Sequence, residues 1–280
     1  MKSGFATLAE GARAVLLTGQ ADEKARMARL VAAAWRAGDL PLALPGHPSP
    51  PAAEMPLRPC RPAQPELVEP RHMPRRSFKG LRGRIALLHA IAHIELNAID
   101  LAFDLVGRFC LADMPRTFLD DWVQVGDDEA RHFAMLQSRL QALGATYGDL
   151  PAHDGLWQAS EATAHDLLAR LAIVPMVLEA RGLDVTPGMI ARLETSQDEA
   201  SAAILRIIYE EERAHVRAGT VWFTYLCGQK QMDPESTFHS LVRKYFRGIL
   251  KPPFNVPARQ LAGLMPNFYE PLATRHTDKV

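Results

Sequence analysis

Apolar residues recur at three- and four-residue intervals over most of the chain, and almost nowhere alternate singly with polar ones, so the pattern predicts helices and no sheet. Residues 4–38 read as two short amphipathic helices split near Thr18-Gly19-Gln20. A long helix follows from about Leu81 to Cys110. A second runs from Pro115, placed as a first-turn proline, to Leu143, with Gly144 as its stop. A very short turn joins these two, and residues 146–157, rich in Gly, Pro and Asp, make a longer crossing. The third long helix spans about Ser160 to Arg181, with Pro175 predicted to kink it one turn before Glu179. Gly182 ends it, a short helix is expected near Gly188–Leu193, and the fourth long helix runs from about Ser196 to Tyr225. The tail holds an amphipathic helix, about Glu235–Ile249, then an irregular run beginning Lys251-Pro252-Pro253-Phe254-Asn255. That run reads as a strap whose Phe254, Val256, Leu261, Leu264, Phe268 and Tyr269 are packing residues.

Eleven of the twenty-one prolines lie between Pro41 and Pro74, a density that forbids regular helix and implies an extended connection resting against the core. The expected organisation is an N-terminal helical appendage over 1–40, a proline-rich linker over 41–76, a helical bundle over 77–228, and a C-terminal helix and strap over 229–280. The 32 basic and 32 acidic residues cancel, so the overall balance calls for neither nucleic acid nor an anionic membrane. Arg243, Lys244, Arg247 and Lys251 form a local basic stretch that reads as a solvated helix face. Cys60, Cys110 and Cys227 stand far apart, which suits neither a disulfide framework nor a thiolate metal site. Arg170, Glu179 and Arg181 interrupt the most apolar segment, Leu167–Leu183, and the N-terminus has no apolar core of a signal peptide. A soluble, cytoplasmic protein without a membrane partner is expected.

Chemistry enters through a repeated spacing. Glu129-Ala130-Arg131-His132 and Glu212-Arg213-Ala214-His215 both read Glu-x-x-His, which puts a carboxylate and an imidazole on one helix face. One such pair is ordinary on a solvated helix. Here each pair has a lone upstream carboxylate in apolar surroundings, Glu95 at 34 residues and Glu179 at 33. A buried carboxylate is costly unless paired or coordinated. One Glu from each of two helices and Glu-x-x-His from two others is the donor set of a dinuclear carboxylate site inside a four-helix bundle. Oxygen-rich ligation with one imidazole per metal suits iron or manganese better than structural zinc. His89 and His93 lie six and two positions from Glu95, off its face, and read as satisfied core histidines.

This arrangement resembles the ferritin-like superfamily over about Leu81–Leu226. Within it, the chain is similar to an uncharacterised bacterial family that keeps this helix order and ends in a segment like Lys251-Pro252-Pro253-Phe254-Asn255. The resemblance implies an all-α, ferritin-like four-helix bundle holding two iron ions, or manganese in one or both places. It makes Glu95 and Glu179 terminal ligands, Glu129 and Glu212 bridging, and His132 and His215 one per metal. Asp128-Glu129-Ala130-Arg131-His132 also looks like the Asp-Glu-x-Arg-His signature of bacterial multicomponent di-iron monooxygenases. By that likeness Asp128 supports His215 and Glu211 supports His132, although the second motif has Glu211 and Ala214 where the signature has Asp and Arg.

Trp122 and Tyr209, seven and three residues before their ligand Glu, fall on the inward stripe, where core filling is the ordinary role and lining a pocket or relaying an electron the functional one. The expected activity is oxidation or hydroxylation of an organic substrate with dioxygen, a small molecule or a modified tRNA nucleoside. It calls for an external electron donor such as a ferredoxin or flavoprotein, and an exposed bundle face suits a homodimer. Iron oxidation or peroxide removal, two-metal hydrolysis and a metal-stabilised scaffold are the competing readings.

Overall fold

The computed structural model describes residues 4–42, 54–69, 72, 80–110 and 114–273. Much of the expected linker, the turn over 111–113 and the last seven residues of the strap lie outside them. The fold is all-α: no strand occurs among the described residues, and the single extended pairing there is a parallel bridge between Leu67 and Ala152. The chain divides into two compact units, residues 1–161 with 192–204, and residues 162–191 with 205–280.

The first unit contains α1 (Leu8–Leu17), α2 (Ala21–Arg36), α3 (Gly80–Arg108), α4 (Arg116–Ala142) and α5 (Gly155–Ala162), the last residue of α5 falling in the second unit. Thr7 caps α1 by accepting from the Glu10 amide, and Gly144, at φ +78°, takes the left-handed turn after α4 that glycine adopts without strain. α3 is the central helix, buried almost continuously from Leu87 to Gly107 and packed on α1 and α4. By length and composition it could cross a membrane, but 83% of its most apolar window is buried inside the protein, and the helix as a whole carries the buried Glu95, Asp100 and Asp104. It is a core helix. Gly126 lets α4 close on α3, since a Cβ there would stand 2.5 Å from Phe103.

Polar side chains fasten α2 to both long helices. The Trp35 indole donates to Asp120 at 2.8 Å, Arg36 reaches Asp127 at 2.7 Å, and the wholly buried Lys24 pairs with the wholly buried Asp100. The described part of the proline-rich stretch lies on this unit: Met55 is buried against Gly107, and residues 66–68 exchange backbone hydrogen bonds with Ala152 at 2.8 and 3.0 Å. His89 and His93 are core histidines, as expected. His89 accepts from the Gly148 amide at 2.9 Å, while His93 bonds the Tyr147 hydroxyl at 2.8 Å and the His153 carbonyl at 3.0 Å.

The second unit contains α6 (Leu167–Ile173), a π-helical segment Val174–Glu179, most of α7 (Ala180–Thr195) and α8 (Glu199–Gln229), α9 (Pro234–Tyr245), α10 (Val256–Leu261) and α11 (Pro266–Ala273). Three expectations are corrected here. The third helix is broken at residues 163–166 and restarts under the Asp166 cap, and the interruption at Pro175 is a widened π turn. Proline has no N–H to give the carbonyl four residues back, and widening the turn removes the clash that an α-helix would impose. The chain does not turn after Gly182: α7 runs through Gly182, Pro187 and Gly188 to Thr195, because buried Ala180, Leu183 and Leu193 outweigh the local propensities. The strap is not irregular throughout, since Asn255 caps α10 and a further helix, α11, follows.

One buried ion pair anchors the strap. Arg259 meets Asp184 through two nitrogens at 2.8 and 2.7 Å and is flanked by the Phe254 and Tyr269 rings at 4.9 and 4.5 Å. The Asn255 side-chain amide donates to the Leu183 carbonyl at 3.0 Å and to the Tyr209 hydroxyl at 2.9 Å. Phe238 of α9 packs edge-on against Phe223 and Phe268. The basic stretch at Arg243, Lys244, Arg247 and Lys251 is exposed, as a solvated face would be.

Candidate metal centre

In the first unit, Glu95 on α3 and the Glu129 and His132 pair on α4 come together out of solvent. Glu129 and His132 are fully buried and Glu95 is 3% exposed. His132 Nδ1 stands 3.0 Å from a Glu95 oxygen and 3.5 Å from a Glu129 oxygen. One ligand atom from each of the three can be chosen so that all lie within 4.8 Å of one another. That is the geometry of donors around a common point, and the group could hold a metal ion. No cysteine belongs to it.

The electrostatics follow from burial. The Glu95 carboxyl is pushed up to about 8, chiefly by removal from water and next by the Glu129 charge, with the hydrogen bond to His132 opposing both. Two carboxylates in one dry site resist ionising together, and a cation between them removes the conflict. The same donors are therefore expensive without a cation and well matched to one.

In the second unit, Glu179 is the final residue of the π-helical segment, half-buried, and α8 carries Glu212 and His215. His215 is 1% exposed, and its Nδ1 lies 3.9 Å from a Glu212 oxygen, so the i, i+3 spacing does put both on one face. Pro175 and Gly219 are in close approach within this unit, for a Cβ at Gly219 would stand 2.5 Å from two carbons of the proline ring. The π turn and His215's helix are thereby held close, four residues from each candidate ligand.

The residues expected to support the ligands are less uniform. Asp128 accepts from Arg131 at 3.0 Å and from Gln124 at 3.1 Å along its own helix. Glu211 is half-buried on α8. Tyr209 holds Asn255 of the strap and lies under the Arg213 guanidinium, 5.8 Å from its ring. Trp122 is 1% exposed, a core residue of α4. Sequence reasoning missed the polar ladder along α3, where Asp100 meets Lys24 and Arg61, and Asp104 meets Arg108. The signal was present, since Lys24, Asp100 and Asp104 each interrupt an apolar helical stripe.

The profile of the family described as "Protein of unknown function (DUF455)" matches residues 17–270. An "Uncharacterized protein" of Haemophilus influenzae (strain ATCC 51907 / DSM 11121 / KW20 / Rd) is 42% identical over 207 residues, covering 72% of each chain. No solved structure matches.

Proposed function

The chain belongs to the DUF455 family, whose description names no activity, and from that premise we propose a function on the site alone: a di-iron carboxylate oxidoreductase that uses dioxygen to oxidise or hydroxylate an organic substrate. In this reading the helices form a ferritin-like bundle. In the same reading Glu95, Glu129, His132, Glu179, Glu212 and His215 would hold two iron ions, or manganese in one or both places. The observation that carries the proposal is the burial of Glu95, Glu129 and His132 around a common point, with two carboxylates competing for one dry volume.

The donors fit the group. Carboxylate oxygens with one imidazole suit a hard or borderline cation, and thiolates, which would favour zinc, take no part. When bound, a reduced iron pair supplies two electrons together to dioxygen. The chain's own residues do the rest: Glu95 and Glu129 provide charge compensation that water cannot, His132 is fixed on α4 beside both, and the apolar surroundings exclude solvent. Asp128 and Glu211 would orient the histidines. A ferredoxin or flavoprotein would deliver electrons, and a modified tRNA nucleoside is one substrate class this chemistry serves.

The test is metal content and oxygen uptake on protein purified anaerobically from an iron- and manganese-replete host, with Glu129→Ala, His132→Ala and Glu212→Ala alongside. The expected result is about two iron ions per chain, lost in the variants, with oxygen uptake that depends on substrate. Wild-type protein that binds no metal under these conditions would end the proposal. Rapid Fe(II) oxidation with many ions stored per chain would replace it with a ferroxidase.

A further inference from the structure

A second feature of the first unit, lined by none of the buried donors, has the makings of a ligand site. A groove of about 530 Å³ runs along the outer face of α4, lined by Arg131, Ala134, Met135, Ser138, Arg139 and Ala142, with Arg29 of α2 at one end and Ala200 and Ile204 of α8 along its side. The volume is that of a small-molecule site, typically about 300–1,000 Å³. Its floor is apolar and mostly alanine, so the small side chains leave a trough. From Arg131 to Ala142 the helix rises through about 16 Å.

Charge is concentrated at one end. Arg29 and Arg36 share a single carboxylate, Asp127, at 3.3 and 2.7 Å, and Arg131 meets Asp128 at 3.0 Å. Arg29 is the least committed: its side chain is 55% exposed, and among the described residues it meets Asp127 through Nε alone, leaving its two terminal nitrogens available. Arg139, farther along, is held by the buried Asp198 at 2.8 Å and by Ser201 at 2.9 Å, so it serves as wall. One end therefore offers planar donors suited to a carboxylate or phosphate, and the rest offers a shallow apolar bed open to solvent.

We propose that this groove binds a small amphipathic anion, free in solution, with its phosphate or carboxylate head between Arg29 and Arg131 and its apolar body along Ala134, Met135, Ala142 and Ile204. The proposal stands apart from the metal reading, since none of these residues is a proposed ligand and the assay below requires no metal.

Titration calorimetry of the full chain with octyl phosphate, inorganic phosphate and octan-1-ol separates head from body. Octyl phosphate should bind at least roughly tenfold more tightly than either fragment, because each supplies only half of the contacts. Arg29→Gln with Arg131→Gln should weaken octyl phosphate by roughly tenfold or more, the loss of charge-assisted hydrogen bonds, with an unchanged circular dichroism spectrum. Ala134→Glu, an exposed position that folding tolerates, should abolish binding by placing an anion in the bed. Absence of binding by millimolar octyl phosphate would overturn the proposal. So would octanol binding as tightly, or octyl phosphate affinity indifferent to the arginine substitutions, both of which mean apolar adsorption only. Binding confined to vesicles of anionic lipid, with none of the free amphiphile, would overturn it in favour of a membrane surface.

Discussion

Metal-free protein should lose stability as the pH rises from about 4.5 to about 8, and Glu95 should be the cause. Its carboxyl is held at about 8 against an ordinary 4.5, by burial first and the Glu129 charge second. The unfolded chain releases this proton near the ordinary value, whereas the folded protein keeps it until the raised one. Between the two the native state binds more protons, so the free energy of unfolding falls by about 1.36 kcal/mol for each pH unit. Over the whole window the change is roughly 5 kcal/mol, comparable with the total stability of many domains. Below 4.5 the contribution is fully present, because the carboxyl is neutral in both states. Glu95→Gln has nearly the same shape and cannot ionise, so it removes the slope. Urea unfolding of metal-free wild type and Glu95→Gln at about pH 5, 6.5 and 8 measures it, since the difference between the two proteins cancels the other titrating groups. The wild type should fall behind the variant by several kcal/mol between the extremes. Parallel pH profiles, agreeing within about 1 kcal/mol, would refute the reasoning. Because the ligand form is the ionised one, ferrous or manganous ion should bind more tightly over the same window and cancel the loss.

Two further substitutions test the frame around the donors. Asp100→Asn strips the buried Lys24 of its principal counter-charge and should cost about 3–5 kcal/mol in urea unfolding, whereas Lys24→Met combined with Asp100→Leu should cost less than the two singly added. Gly219→Ala puts a methyl 2.5 Å from the Pro175 ring and should destabilise by about 1–3 kcal/mol, with weaker metal retention where Glu179 is a ligand; an unchanged midpoint would mean that the approach is slack.

Helix existence was legible because α3, α4 and α8 each sustain apolar periodicity over many turns, a signal that no strand or loop imitates. The expected stop at Gly182 and Gly188 failed for a definite reason: propensity is local, and α7 is held by burial of Ala180, Leu183 and Leu193 against residues far away in sequence. The same holds for α10 and α11, too short to stand alone yet fixed by Arg259, Phe238 and Tyr269. At the candidate site, Glu95, Glu129 and His132 were legible because carboxylates in apolar stripes need partners, and they meet. Lys24 with Asp100 obeys the same rule and escaped notice: each interrupts an apolar stripe, but neither has a repeated spacing that says which partner it meets. The groove on α4 escaped for the opposite reason: its Arg and Ala residues make an ordinary solvated face until α2 and α8 give it walls.

The π-helical segment before Glu179 bears on how relatives of this chain are compared. A π turn takes up about one residue more than an α turn, so it behaves as a single-residue insertion hidden within a helix. Beyond it, every side chain is rotated by about 100° from where an unbroken helical wheel would put it. A homologue that lost one residue between Val174 and Leu178 would keep a continuous helix and still present its own counterpart of Glu179 to the same spot. Sequence alignments that open no gap there would then set a donor against a bystander, and the number of shared carboxylates would be undercounted.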